Sequence, residues 1–194
     1  HHRKGVFDML RIKEFVYTAG GGGMITKWSV AKSRTLESYQ LTNQSLRSLD
    51  FCPERNEIAV GASDNAIYFL DASTLQLRRS IRDAHDNSVF TARYTPDGRY
   101  LLSGGRDAHL RIWNLDEGDR PVAAQPAHWF TINAIAIHPE GRWFATASRD
   151  KTIKIWDSNT FELRKVLDTA RDGCHVNSVN RLFWSPHRNY LISG

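Results

Sequence analysis

The chain has 194 residues, 41% of them hydrophobic, and 26 Lys and Arg against 21 Asp and Glu give it a net charge of +5. This composition can bury a core and excludes a chain disordered by composition. No apolar run approaches the ~20 residues that a membrane-spanning helix needs, so no membrane partner is expected. Aromatic and β-branched residues fall in short alternating runs, and no window holds a long helical period, which predicts an all-β chain. The first unit, residues 1–41, is predicted to hold strands at Val6 to Ile12, Phe15 to Ala19, Met24 to Val30 and Thr35 to Tyr39. Gly20 to Gly23 sits where a strand-to-strand turn is expected. Neither a Lys-Ser/Thr pair nor a helix follows it, so the glycines read as a hairpin needing positive φ and not as a phosphate loop.

The second unit, 42–84, is the most degenerate. The third and fourth, 85–127 and 128–170, are well formed, and a partial fifth, 171–194, stops inside its second strand. Each unit holds one version of the same stretch: YTAGGGGMITKWS from Tyr17, AVGASDNAIYFLD from Ala59, LSGGRDAHLRIWN from Leu102 and ATASRDKTIKIWD from Ala145, spaced by 42, 43 and 43 residues. A fixed period of this length marks stacked or radially repeated units and outranks any local reading. A second recurring signal is Phe51-Cys52-Pro53, repeated as Tyr94-Thr95-Pro96, Ile137-His138-Pro139 and Trp184-Ser185-Pro186. Pro96-Asp97-Gly98 and Pro139-Glu140-Gly141 read as type I turns. His128 to His175 spans 47 residues, against 43 from His85 to His128, which places about four extra residues near Asp168 to Gly173, as a surface loop tolerates.

These residues resemble the WD-repeat β-propeller family, from end to end of the chain. Trp156-Asp157 is the dipeptide that names the family, and Trp113-Asn114, Leu70-Asp71 and Trp28-Ser29 are its variants. His85, His128 and His175 match the histidine near the start of each unit, and the first two precede the turn aspartate by 22 residues. The resemblance implies an open arc of four-stranded antiparallel blades. Closed propellers have about 4–8 blades, and seven is common in the family, so the resemblance implies part of a longer chain. Such a piece is expected to self-associate when expressed alone, because its end blades lack neighbours.

His85, Ser103, Asp107 and Trp113 form one constellation, and His128, Thr146, Asp150 and Trp156 another. Their serine or threonine, histidine and aspartate invite a catalytic-triad reading. Each unit would then need its own copy, and no nucleophile-elbow glycine pattern is present. The resemblance implies a structural tetrad instead, in which indole, hydroxyl, imidazole and carboxylate hydrogen-bond in series. The first unit offers only His2, Thr18 and Trp28, with Gly22 in the aspartate position. The second keeps Asp64, with Thr42, Val60 and Leu70 around it. Both units are therefore expected to be looser. The histidines lie a unit apart without ligand spacing, so no metal is expected, and no cofactor either. Cys52 and Cys174 form no motif and read as free thiols in a reducing compartment, hence a cytoplasmic or nuclear protein. His1 is not a natural start, so a leader ahead of it stays open.

Function is then expected on surfaces. The resemblance carries partner contacts to two position types on one rim. Five residues after the histidine come Phe7, Arg47, Phe90, Asn133 and Asn180. Immediately before the turn aspartate come Gly21, Ser63, Arg106 and Arg149. Trp129 and Phe130 lie near the same rim. Arginine and aromatics on one face suit a binding hot spot. The expected function is a non-catalytic scaffold or adaptor that docks proteins or peptides. An RNA or ribonucleoprotein platform, motivated by the charge of +5, is the alternative. An enzyme is the third class, motivated only by the His-Ser/Thr-Asp sets.

Overall fold

Alternating apolar and polar residues broken by turns leave the backbone few ways to satisfy its donors other than short antiparallel ladders. The computed structural model describes residues 4–194, so His2 lies outside the described residues. β1 (Val6–Ile12), β2 (Phe15–Gly20), β3 (Met24–Ser29) and β4 (Arg34–Gln40) form the first sheet in that order. β5 (Leu46–Cys52), β6 (Glu57–Ala62), β7 (Ile67–Asp71) and β8 (Leu77–Ile81) form the second. β9 (Val89–Tyr94), β10 (Tyr100–Gly105), β11 (His109–Asn114) and β12 (Pro121–Pro126) form the third. β13 (Ile132–Ile137), β14 (Trp143–Ser148), β15 (Ile153–Asp157) and β16 (Leu163–Leu167) form the fourth. A short helix, α1 (Thr169–Asp172), occupies the region of extra residues, and β17 (Leu182–Trp184) pairs with β18 (Leu191–Ser193). Each four-stranded sheet is an antiparallel meander, the blade of a propeller.

Two irregularities recur in register. Between third and fourth strands a bulge falls just before the tryptophan position in all four blades: at Lys27/Trp28, Phe69/Leu70, Ile112/Trp113 and Ile155/Trp156. Between first and second strands a bulge falls at Val6/Asp8, Leu46/Ser48 and Ile132/Ala134. A bulge leaves one residue unpaired and re-aims its side chain. The fourth strands are exposed edges, and they carry what exposed edges need: Arg34 and Glu37 on β4, Arg164 and Lys165 on β16, prolines on β12.

The chain divides into two compact units, one ending at Ala92 and the other running Arg93–Gly194, with β9 crossing the boundary. The first has a core in which Tyr17, Ile25, Leu49, Ile58, Tyr68 and Leu70 are at most 3% exposed. The second gathers Leu102, Ile112, Ile135, Phe144 and Trp156 in one cluster and Ala145, Ile153, Val179 and Trp184 in another. The second blade, expected to be looser, has every residue of its second strand β6 buried. Leu70 and Val60 are apolar where a tetrad has indole and hydroxyl, so they fill the core without needing partners.

Of the three glycines between β2 and β3, Gly23 is the one with positive φ, +77°, and its carbonyl accepts from Leu41 and Thr42 N–H. A Cβ there would sit 1.8 Å from the Thr42 carbonyl oxygen, whereas at Gly22 it would meet nothing within 4 Å. Gly23→Ala is therefore expected to cost more than about 1 kcal/mol. Gly22→Ala should stay within ~0.5 kcal/mol of the parent in urea melts, as surface changes do.

Candidate functional site

The fourth blade contains a complete hydrogen-bonded series. Trp156 Nε1 donates to Thr146 Oγ1 at 2.9 Å, and that hydroxyl lies 2.7 Å from His128 Nε2. Since the hydroxyl oxygen receives the indole proton, its own proton goes to Nε2, and Nδ1–H is left to donate to Asp150 Oδ2 at 2.9 Å. The series links β14 and β15 to the segment entering β13. Its parts are inaccessible: the His128 side chain is 0% and the Asp150 side chain 5% exposed. Thr146 Oγ1 already serves two neighbours and is fully buried, so it does not present a nucleophile to a substrate.

Asp150 also accepts from Thr152 N–H and Oγ1 at 2.9 and 2.6 Å. Burial pulls its carboxyl upward, but the hydrogen bonds from His128 and Thr152 outweigh that and hold it well below the ordinary aspartate value. The same Asx turn recurs at Asp107 with His109 N–H and at Asp64 with Ala66 N–H. In each, the residue after the aspartate takes positive φ: Asn65 68°, Ala108 62°, Lys151 72°.

The other units hold fragments of the series. Trp113 Nε1 donates to Ser103 Oγ at 2.9 Å, and Asp107 lies 3.6 Å from Arg111; His85 is buried, 1% exposed, within the first compact unit. Trp28 Nε1 donates to Thr18 Oγ1 at 2.9 Å. Asp64, in the second blade, instead accepts from the Tyr68 hydroxyl at 2.6 Å, and burial together with that carboxylate pushes the Tyr68 phenol up to about 12. Tyr68 stands two residues before Leu70, on the same face, off the histidine and tryptophan positions of the repeat. A further repeated pair is an arginine seven residues after the dipeptide aspartate: Arg164 reaches Asp157 at 2.8 Å, and Arg78 reaches Asp71 at 2.5 Å.

The rim residues separate into two groups. In the first unit Phe7 and Arg47 are the bulged residues of β1 and β5. The Arg47 guanidinium lies 4.4 Å from the Phe7 ring centre and 5.0 Å from that of Phe90, and its Nε donates to Ser63 Oγ at 2.8 Å. This is a cation–π stack, with Gly21 beneath: a Cβ there would come within 3.1 Å of the Phe7 ring. In the second unit Asn133 is again the bulged residue, but its amide donates to Ser178 Oγ and to the Val179 carbonyl at 3.0 and 2.9 Å, so it ties the chain to itself. Asn180 is exposed, as are Arg106 and Arg149. Trp129 is 87% and Phe130 58% exposed. Backbone bonds fix both: Trp129 N–H donates to Asp150 Oδ2 at 3.1 Å, and the Phe130 carbonyl accepts from Ser148 Oγ at 3.1 Å.

Sheets of this order, built on this repeated series, define a propeller-blade repeat protein without an open catalytic cleft at the series itself. The repeat model "WD domain, G-beta repeat" matches residues 76–114 and 119–157. An uncharacterized WD repeat-containing protein of Schizosaccharomyces pombe is 23% identical over 112 residues, 58% of this chain and 28% of that one. Protein lethal(2)denticleless of Drosophila melanogaster is 28% identical over 131 residues, 60% of this chain and 17% of that one. Ribosome biogenesis protein ytm1 of Aspergillus fumigatus is 30% identical over 102 residues, 51% of this chain and 21% of that one. The chain thus spans less than a third of the length of each of these relatives. Among solved structures, a chain in the crystal structure of a mitotic checkpoint complex superposes with a TM-score of 0.84 at 22% identity, over 97% of this chain and 56% of that one. Residues 76–114 and 119–157 are thus WD repeats, and the chain has the fold of a WD-repeat propeller.

Asp150→Ala is expected to cost roughly 1–3 kcal/mol, because it strands the buried His128 donor. Asp64→Ala should cost on the order of 1 kcal/mol, by removing the acceptor of the Tyr68 hydroxyl. Urea melts read both. A depressed carboxyl stabilises above the unfolded value and loses that contribution as pH falls toward the folded one. The gap between the parent and Asp150→Asn should therefore be full above about pH 4 and narrow below it.

Proposed function

We propose that this chain is a non-catalytic scaffold that docks other proteins or peptides on its turn rim and so assembles a multiprotein complex. The observation that supports this reading most directly is Trp129. A large ring 87% exposed is an unusual way to leave apolar surface, and the backbone that carries it is bonded to the carboxylate of the buried series. A backbone already tied down leaves only the side-chain rotamer to be ordered on binding, which suits an interface anchor. Phe130 beside it widens the apolar surface, and Arg106 and Arg149 add directional donors at the neighbouring turns. The Phe7–Arg47–Phe90 stack offers a second, separately formed patch of the same residue types. WD-repeat propellers are in general interaction platforms, and the buried series keeps its hydroxyl and imidazole away from the surface.

Trp129→Ser with Phe130→Ser should leave the melting transition in place, because both side chains are exposed. Affinity capture from cells should then lose the partners that the parent recovers. Unchanged recovery by the double variant would move docking away from this rim.

A further inference from the structure

We infer that the Trp129 rim takes an acidic linear peptide that carries an apolar side chain. This rests on the docking role proposed for the same rim and names the chemistry of its ligand.

Two turns flank the aromatic pair. Ala108, in the turn between β10 and β11, accepts through its carbonyl from Ala127 and His128 N–H at 3.0 and 3.3 Å. Arg149, in the turn between β14 and β15, donates its N–H to the Thr131 carbonyl at 3.1 Å. Both turns are thus bonded to the segment that holds Trp129 and Phe130, and both present cations: Arg106 from one, Arg149 and Lys151 from the other. All three are exposed, and among the described residues their side chains form no ion pair or hydrogen bond.

The acids of the same turns are committed inward. Asp107 faces Arg111 and bonds His109 N–H. Asp150 serves His128, Thr152 and the Trp129 N–H. In the link after β16, Asp168 pairs with Arg171, and Asp172 turns back to the Asp168 N–H. The chain as a whole interleaves its charges, but in these two turns the carboxylates of Asp107 and Asp150 point into the fold and the cations point out. A surface of this kind steers and holds an anionic partner.

Carboxylates of the peptide would meet Arg106, Arg149 and Lys151, the arginines accepting bidentate geometry, while an apolar side chain rests on Trp129 and Phe130. Three cations around one aromatic pair match a single short acidic stretch. A nucleic-acid strand would instead use a longer cationic track with successive stacking platforms.

The test uses fluorescence anisotropy with three labelled probes: a peptide of alternating Asp and Glu around a central Leu, its Asn/Gln copy, and a uridine oligonucleotide of equal charge. The acidic peptide should bind and the neutral copy bind at least tenfold more weakly. Binding should weaken by about tenfold between low and several-hundred-millimolar salt, as screening requires. Arg106→Glu with Arg149→Glu should abolish it, and Trp129→Ser should weaken it by about tenfold, both with unchanged melting curves. Equal binding of acidic and neutral peptides, indifference to the charge reversals, or preference for the oligonucleotide would overturn the inference. If Trp129→Ser with Phe130→Ser loses cellular partners while the acidic peptide fails to bind, docking at the rim stands and its acidic-peptide chemistry falls.

Discussion

The buried series Trp156–Thr146–His128–Asp150 is the constraint on which the fourth blade depends. Each group in it has a hydrogen-bonding demand that water no longer meets, and each demand is met by the next group in line. The series passes from β15 to β14, then to the segment before β13, and ends in the turn after β14. Its last member connects core to surface: Asp150 takes the imidazole proton on one side and fixes the Trp129 backbone on the other. An interior network thereby anchors the backbone that carries an exterior ring.

The other blades show how far this solution can be varied. In the second blade, apolar Leu70 and Val60 remove the demand instead of meeting it, and Tyr68 supplies Asp64 with a proton from a different position. The first blade keeps the indole–hydroxyl half at Trp28 and Thr18 and adds a tie of another kind, Asp8 Oδ2 accepting from Leu49 N–H at 2.8 Å between neighbouring sheets. What is common to these blades, among the described residues, is the absence of a stranded polar group at the series positions.

Bulges link the fold to its candidate function. A regular strand alternates its side chains between faces, so a rim residue would be handed to one blade neighbour or the other. The bulges at Phe7, Arg47 and Asn133 break that alternation at the same repeat position and release one side chain each. What each then does differs: Arg47 stacks between two phenylalanines, whereas Asn133 binds the segment that enters β17. Equivalent repeat positions thus share a geometry without sharing a chemistry.

The sequence by itself determined the repeat and its strands, because both rest on local patterns. The period of 42 or 43 residues, the alternation within runs and the proline–glycine turns are short-range facts, and the observed strands of the first blade end within a residue of their predicted bounds. It also picked out the tetrad positions of the fourth blade, since four polar residues at fixed intervals leave a legible trace. Tertiary structure decided the rest. That Tyr68 answers Asp64, that Arg47 lies between Phe7 and Phe90, and that Asn133 is used internally all depend on which strands become neighbours and where a bulge falls. The inward pairing of Asp107 and Asp150, which leaves only cations facing outward from their turns, depends on the burial of those carboxylates. Composition counts their charges and cannot say which way they point.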